Sequence, residues 1–163
     1  MRASGILLHI SSLPSDYGIG TLGREAYNFI DFLKEAGQSY WQILPVCPTS
    51  YGDSPYQSFS TYAGNPYFID FELLKKDGLL IEADYEGIDW GDNPGYADYE
   101  KLYNNRFDVL KRAYKRFCDR DKTDFYRFLD DNERWISNYA LFMSIKNEND
   151  GKCWLEWEDG LKR

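Results

Sequence analysis

Two short apolar runs, "SGILLHI" (residues 4–10) and "YWQILPV" (residues 40–46), constrain this chain more than any other feature. Each is nearly continuous in apolar residues rather than alternating, the pattern of a strand buried on both faces. Between them Leu22, Ala26, Phe29, Ile30 and Leu33 recur at helical spacing. Thr21 is placed to cap that helix and Gly37 to end it. Strand, helix and strand in so short a span make a βαβ unit, whose two strands must run parallel with a right-handed crossover. Two strands alone leave both sheet edges open, so the unit reads as the beginning of a larger α/β fold.

After Val46 the texture changes. Residues 47–69 form one long loop of Tyr, Ser, Gly and Pro, and structureless loops of that length are usually functional. Asp70 is placed to cap a short helix, "FELLKKD", that Gly78 stops. Residues 82–97 are acidic and irregular. From Asp98 onward the pattern is helical, with Tyr103, Phe107, Leu110, Tyr114 and Phe117 as one core stripe and Trp135, Ile136, Tyr139, Ala140 and Met143 as another. The organisation expected is an α/β unit with its long loop over 1–69 and a mostly helical, incomplete subdomain over 70–163.

Composition narrows the partners. A net charge of -8 excludes a basic nucleic-acid footprint and a polybasic membrane patch. No apolar segment approaches the length of a membrane span or a signal-peptide core. Cys47, Cys118 and Cys153 are scattered and make neither a disulfide framework nor a paired metal motif, so a reduced, cytoplasmic protein without metal or other cofactor is expected. Gly18, Gly20 and Gly23 match G-x-G-x-x-G, but the first lies eight residues past Ile10 and the second strand ends without an acid for a ribose, so a dinucleotide site is rejected.

The stretch "YGDSPYQS" (residues 51–58) carries the chemistry. Tyr51 and Tyr56 offer flat apolar faces with polar tips, Ser54 a hydroxyl and Gln57 an amide, a mixture suited to a sugar ring. Asp53 is the one acid in it, and an Asp before Ser-Pro ordinarily folds back to fix a turn. His9, the single histidine, sits near the C-terminal end of the first strand, where parallel α/β folds place their ligands. No pair of acids is placed to serve as nucleophile and general acid.

"GDSPYQSFSTYAGNPY", within a longer match from Ser4 to about Leu80, resembles the N-terminal region of the 4-α-glucanotransferases, or amylomaltases, of glycoside hydrolase family 77. The similarity resumes at Trp135–Lys146 and Trp154–Trp157. The resemblance implies the N-terminal βαβ portion of a (β/α)8 TIM barrel followed by a largely helical insertion. It implies transfer of α-1,4-glucan segments between maltodextrins, or to glucose, by a retaining double displacement. The implied partners are maltose, maltotriose and longer maltodextrins. By the resemblance Ser54 and Tyr56 contact the donor sugar, while Tyr51 belongs to a secondary glucan site with Tyr99 as its partner. The family's catalytic acids come from later strands, so this chain is expected to be inactive alone and to need the rest of its polypeptide. The alternative is a stand-alone glucan-binding module.

Overall fold

The computed structural model describes residues 2–50 and 52–162. They fall into two compact units, 1–120 and 121–163. In the first, strand β1 (Gly5–Leu7) pairs in parallel with β2 (Tyr40–Gln42), Gly5 opposite Tyr40 and Leu7 opposite Gln42. Helix α1 (Arg24–Glu35) connects them. The Nε1–H of Trp41 donates to the Leu8 carbonyl at 2.7 Å, and its ring meets Phe29 of α1 at 4.9 Å, seating the helix on one sheet face. The strands are shorter than the apolar runs and are not buried on both faces: Leu7 is 58% exposed. A two-stranded sheet covers only what α1 can reach.

The ends of α1 divide between expectation and correction. Gly37 adopts φ 67°, and the N–H groups of Gly37 and Gln38 return to the Lys34 and Leu33 carbonyls, closing the helix as a left-handed cap. Thr21 is not the N-cap. Gly23 is, and the Thr21 hydroxyl instead donates to Asp70 Oδ2 at 2.6 Å. The glycines of the rejected motif act by close packing. A Cβ on Gly20 would stand 2.0 Å from the Ile10 carbonyl oxygen, and one on Gly23 would stand 2.0 Å from Asp70 Oδ2.

Asp70 caps α2 (Phe71–Lys76) by accepting from the Leu73 N–H at 2.9 Å, as its sequence position demands. Helix α3 (Tyr99–Cys118) then crosses the unit. Its buried face is Leu102, Arg106, Val109 and Ala113, one residue out of phase with the aromatic stripe. Phe107 and Leu110 pack at the edge of the core, while Tyr103 and Tyr114 stand exposed. The acidic segment before α3 is tied to it: Arg116 pairs with Asp84 at 2.6 Å, and Arg112 donates to the Asp84 carbonyl at 2.6 Å.

Arg106 is fully buried, at 0% exposure. Its guanidinium lies 4.3 Å over the Phe71 ring and donates to the Ile69 carbonyl at 2.5 Å and the Tyr17 carbonyl at 3.4 Å. Its Nε is the one buried side-chain polar atom without a partner among the described residues. Burial pulls its pKa down to about 10, which leaves it charged at neutral pH.

The second unit holds α4 (Thr123–Asp131) and α5 (Ile136–Glu148), with Trp157 buried and its ring tilted against Phe142 at 5.6 Å. No residue of α5 is fully buried, so the Trp135–Met143 stripe forms a half-covered face rather than a closed core.

Two stability predictions follow from these bonds. Arg106→Ala should cost about 3–5 kcal/mol, because it removes a buried cation and strands two carbonyls. Arg106→Met, which refills the volume, should still cost about 1–3 kcal/mol. Urea unfolding measures both, and a methionine variant as stable as the parent would show that the guanidinium holds nothing. His9 Nδ1 accepts from the Leu44 N–H at 3.2 Å, and burial lowers the His9 pKa below its ordinary 6.5. The unfolded chain therefore binds the proton first, so this contribution is intact above pH 6.5 and is lost as the pH falls below it. Melting temperatures should decline between about pH 7 and pH 5, and decline less in His9→Gln. Equal slopes would remove the linkage.

Candidate functional site

Just past the C-terminal ends of β1 and β2 the first unit encloses a cavity of about 160 Å³. His9, Ser11, Thr49, Asp53, Asn65 and Tyr99 supply its polar lining, with Ile19, Leu44 and Phe68 among the apolar walls. Because His9 Nδ1 is engaged by Leu44, the ring carries its proton on Nε2, and its depressed pKa keeps it neutral at pH 7. Phe68 meets it edge-on at 5.4 Å and fixes the ring plane.

The long loop folds back on itself rather than trailing. Thr49 and Ser58 form an antiparallel bridge, and the Ser50 N–H donates to the Gln57 carbonyl at 3.0 Å. Two turns lie inside that closure. The Asp53 N–H returns to the Ser50 carbonyl at 3.1 Å, with Gly52 at φ 87°, and the Gln57 N–H returns to Ser54 at 3.0 Å around Pro55. At the base, the Asn65 N–H donates to the Val46 carbonyl at 2.8 Å, and its side chain accepts from the Tyr67 N–H.

The residues singled out from the sequence are distributed as follows. His9 and Tyr99 line the cavity. Ser54 sits in the loop, its Oγ accepting from the Tyr56 N–H at 3.3 Å. Tyr56 stands at the tip with 73% of its surface exposed, beside Pro55, which lines the cavity. Tyr51 lies outside the described residues. Tyr99 is half-buried, with its ring 6.1 Å from Tyr67.

Asp53 was expected to bond back to its own turn, and it does not. Among the described residues nothing donates to its carboxylate, and Ser54 does the local bonding instead. Asp53 lines the cavity, and burial raises its pKa. Its charge reaches two phenols: Tyr67 is pushed up to about 12 by burial first and Asp53 second, and Tyr99 is raised by the same two causes. Sequence spacing gave no signal for this role, since Gly-Asp-Ser-Pro is an ordinary turn composition.

A larger groove of about 450 Å³ runs along Leu22, Val46, Pro66, Phe68, Leu73 and Leu74. It is a poorer candidate. Its walls are nearly all apolar, and Asp70 there is already bonded to Thr21 and Leu73. Among the described residues no three His, Cys, Asp or Glu side chains gather as a metal site, and no helix is long and apolar enough to cross a membrane.

Comparison with known proteins agrees with the resemblance noted in the sequence. The family model for 4-alpha-glucanotransferase (glycoside hydrolase family 77) matches residues 8–163. A 4-alpha-glucanotransferase of Clostridium butyricum is 50% identical over 95% of this chain, and that of Thermus thermophilus is 45% identical over 99%. An amylomaltase of Streptococcus agalactiae, solved in complex with acarbose, superposes with a TM-score of 0.93 at 48% identity over 98% of this chain. In each comparison the chain spans 32% of the relative's length. The residues matched, the identity and the superposed backbone together place this chain in the 4-alpha-glucanotransferase family, glycoside hydrolase family 77.

Proposed function

We propose that this chain forms one wall of the glucan-binding cleft of a 4-α-glucanotransferase, and that its βαβ unit opens a (β/α)8 barrel. The enzyme moves α-1,4-glucan segments between maltodextrins, or onto glucose, with retention of configuration. The observation that carries the reading is the position of a polar, uncharged-donor cavity at the strand C-termini, directly beside an exposed tyrosine loop. Tyr56 supplies a flat face for a sugar ring and Ser54 a hydroxyl near it. By the family resemblance Tyr51 and Tyr99 belong to a secondary glucan site, and His9 contributes an Nε2–H donor.

The chemistry is divided. A retaining displacement needs a carboxylate nucleophile and a carboxylic acid about 5–5.5 Å apart. Among the described residues Asp53 is the single carboxylate lining this cavity. The wall therefore binds and orients glucan, and the catalytic pair comes from the part of the relatives' length that this chain does not span. The three free cysteines suit a reducing, cytoplasmic setting.

Two measurements test the reading. The 163-residue chain incubated with maltotriose should release no glucose. Glucose release at a rate above buffer would overturn the division of labour. In the full-length gene product, Tyr56→Ala should raise KM for maltotriose about tenfold, the effect of losing about 1.4 kcal/mol of apolar contact. An unchanged KM would remove the tyrosine from the cleft.

A further inference from the structure

We propose that Asp53 is a glucan-binding residue, its carboxylate accepting hydrogen bonds from the hydroxyls of one glucose unit seated in the strand-end cavity with His9. The inference rests on the glucan-cleft reading above and adds to it a residue, a ligand group and a reason for the loop's backbone.

Three observations support it. The first is conformational. Asp53 has φ 54°, in the left-handed region, directly after Gly52 at φ 87°. An L-residue there is disfavoured relative to glycine, although Asp bears it better than most. A strained position filled by a side chain that makes no local bond indicates a use for that side chain elsewhere.

The second is electrostatic. Asp53 lines a cavity whose described lining residues include no Lys or Arg, and among the described residues no hydrogen-bond donor meets its carboxylate. Burial alone raises its pKa. A partly desolvated carboxylate without donors is an unfavourable arrangement that an arriving hydroxyl relieves. An anionic ligand would worsen it. The phenols of Tyr67 and Tyr99 stay protonated beside it, so they add no second charge.

The third is size. The cavity measures about 160 Å³. A pocket of about 150 Å³ is enough to hold a six-membered ring such as benzene. The polar lining from Ser11, Ser12, Thr49 and His9 turns that space toward a hydroxylated ring rather than a hydrocarbon. His9, neutral and protonated on Nε2, is a donor, and Asp53 is an acceptor. Together they discriminate for a neutral polyol, whose hydroxyls can serve both.

Calorimetric titration of the full-length gene product with maltotriose tests this, comparing the parent with Asp53→Asn, Asp53→Gly and Tyr56→Ala. Affinity should fall in the order Asp, Asn, Gly, with the glycine variant about ten- to a hundredfold weaker, the range for a hydrogen bond to a charged group. Its melting temperature should equal or exceed the parent's, because glycine relaxes the left-handed backbone. Weaker binding without lower stability is a result that a turn-holding role cannot give. Parent-like affinity in Asp53→Gly, with Tyr56→Ala weakened, overturns this inference and leaves the cleft reading intact. Loss of binding in Asp53→Gly accompanied by a lower melting temperature, with Asp53→Asn unaffected, also overturns it by assigning Asp53 to the turn. Failure of the parent to bind maltotriose defeats the cleft reading and this inference together.

Discussion

The buried guanidinium of Arg106 joins three segments at the centre of the core. It comes from α3, stacks on Phe71 at the start of α2, and bonds carbonyls at Ile69 and Tyr17 on either side of α1 and the sheet. An aliphatic side chain could fill that volume but could not satisfy two carbonyls at the centre of a core. Around it the aromatic side chains close in: Tyr17 packs on Phe71, Tyr85 and Trp90 at 5.3, 5.2 and 6.4 Å. The tyrosine tips that reach this cluster's rim converge on one carboxylate, Glu72, which accepts from Tyr17 and Tyr85 at 2.6 and 2.9 Å. The high aromatic content is thus partly a core requirement. Tyr56 and Tyr62 of the loop are a separate population, because both are turned outward.

This arrangement explains which parts of the fold were legible. The βαβ unit, the left-handed cap at Gly37 and the Asp70 cap could all be read, since each follows from local chemistry: apolar continuity, a Cβ-free residue, a short acceptor side chain. The strand lengths could not be, because apolar continuity does not set how far two strands pair. The phase of α3 was misread for a definite reason. Pattern reading assigns large aromatics to the core and charges to the surface, whereas here Arg106 is inside and Tyr103 is outside. A buried arginine stabilised by carbonyls 37 and 89 residues away in sequence leaves no periodic trace.

The site divides in the same way. Residue types in the loop suggested a sugar by composition, and the resemblance supplied roles for Ser54 and Tyr56, but neither indicated that His9 and Asp53 share a cavity. That proximity is a product of parallel strands whose ends point the same way: His9 follows β1, Leu44 follows β2, and the loop that leaves β2 folds back over both. Asp53 was assigned to its own turn because that is the commonest use of such a residue. The bond from the Tyr56 N–H to Ser54 Oγ, with the backbone bonds to the Ser50 and Ser54 carbonyls, shows that the turn is already held without it.

The loop's poverty in aliphatic residues then has a physical reading. Apolar burial anchors the loop at its ends, through Pro48, Ala63, Tyr67 and Phe68, and hydrogen bonds hold what lies between: Ser58 and Ser60 bond within the segment, the Tyr62 and Ala63 N–H groups both donate to Ser60 Oγ at 3.1 Å, and Asn65 pins the base. Those bonds are made before any ligand arrives. A ligand that stacks on Tyr56 therefore meets a surface whose backbone entropy has already been lost in folding, and more of the contact energy remains for affinity. Serine and asparagine are suited to that work because their short side chains reach the backbone two or three residues away. Aliphatic anchors would require the loop to collapse onto the core, closing the cavity that Asp53 and His9 line.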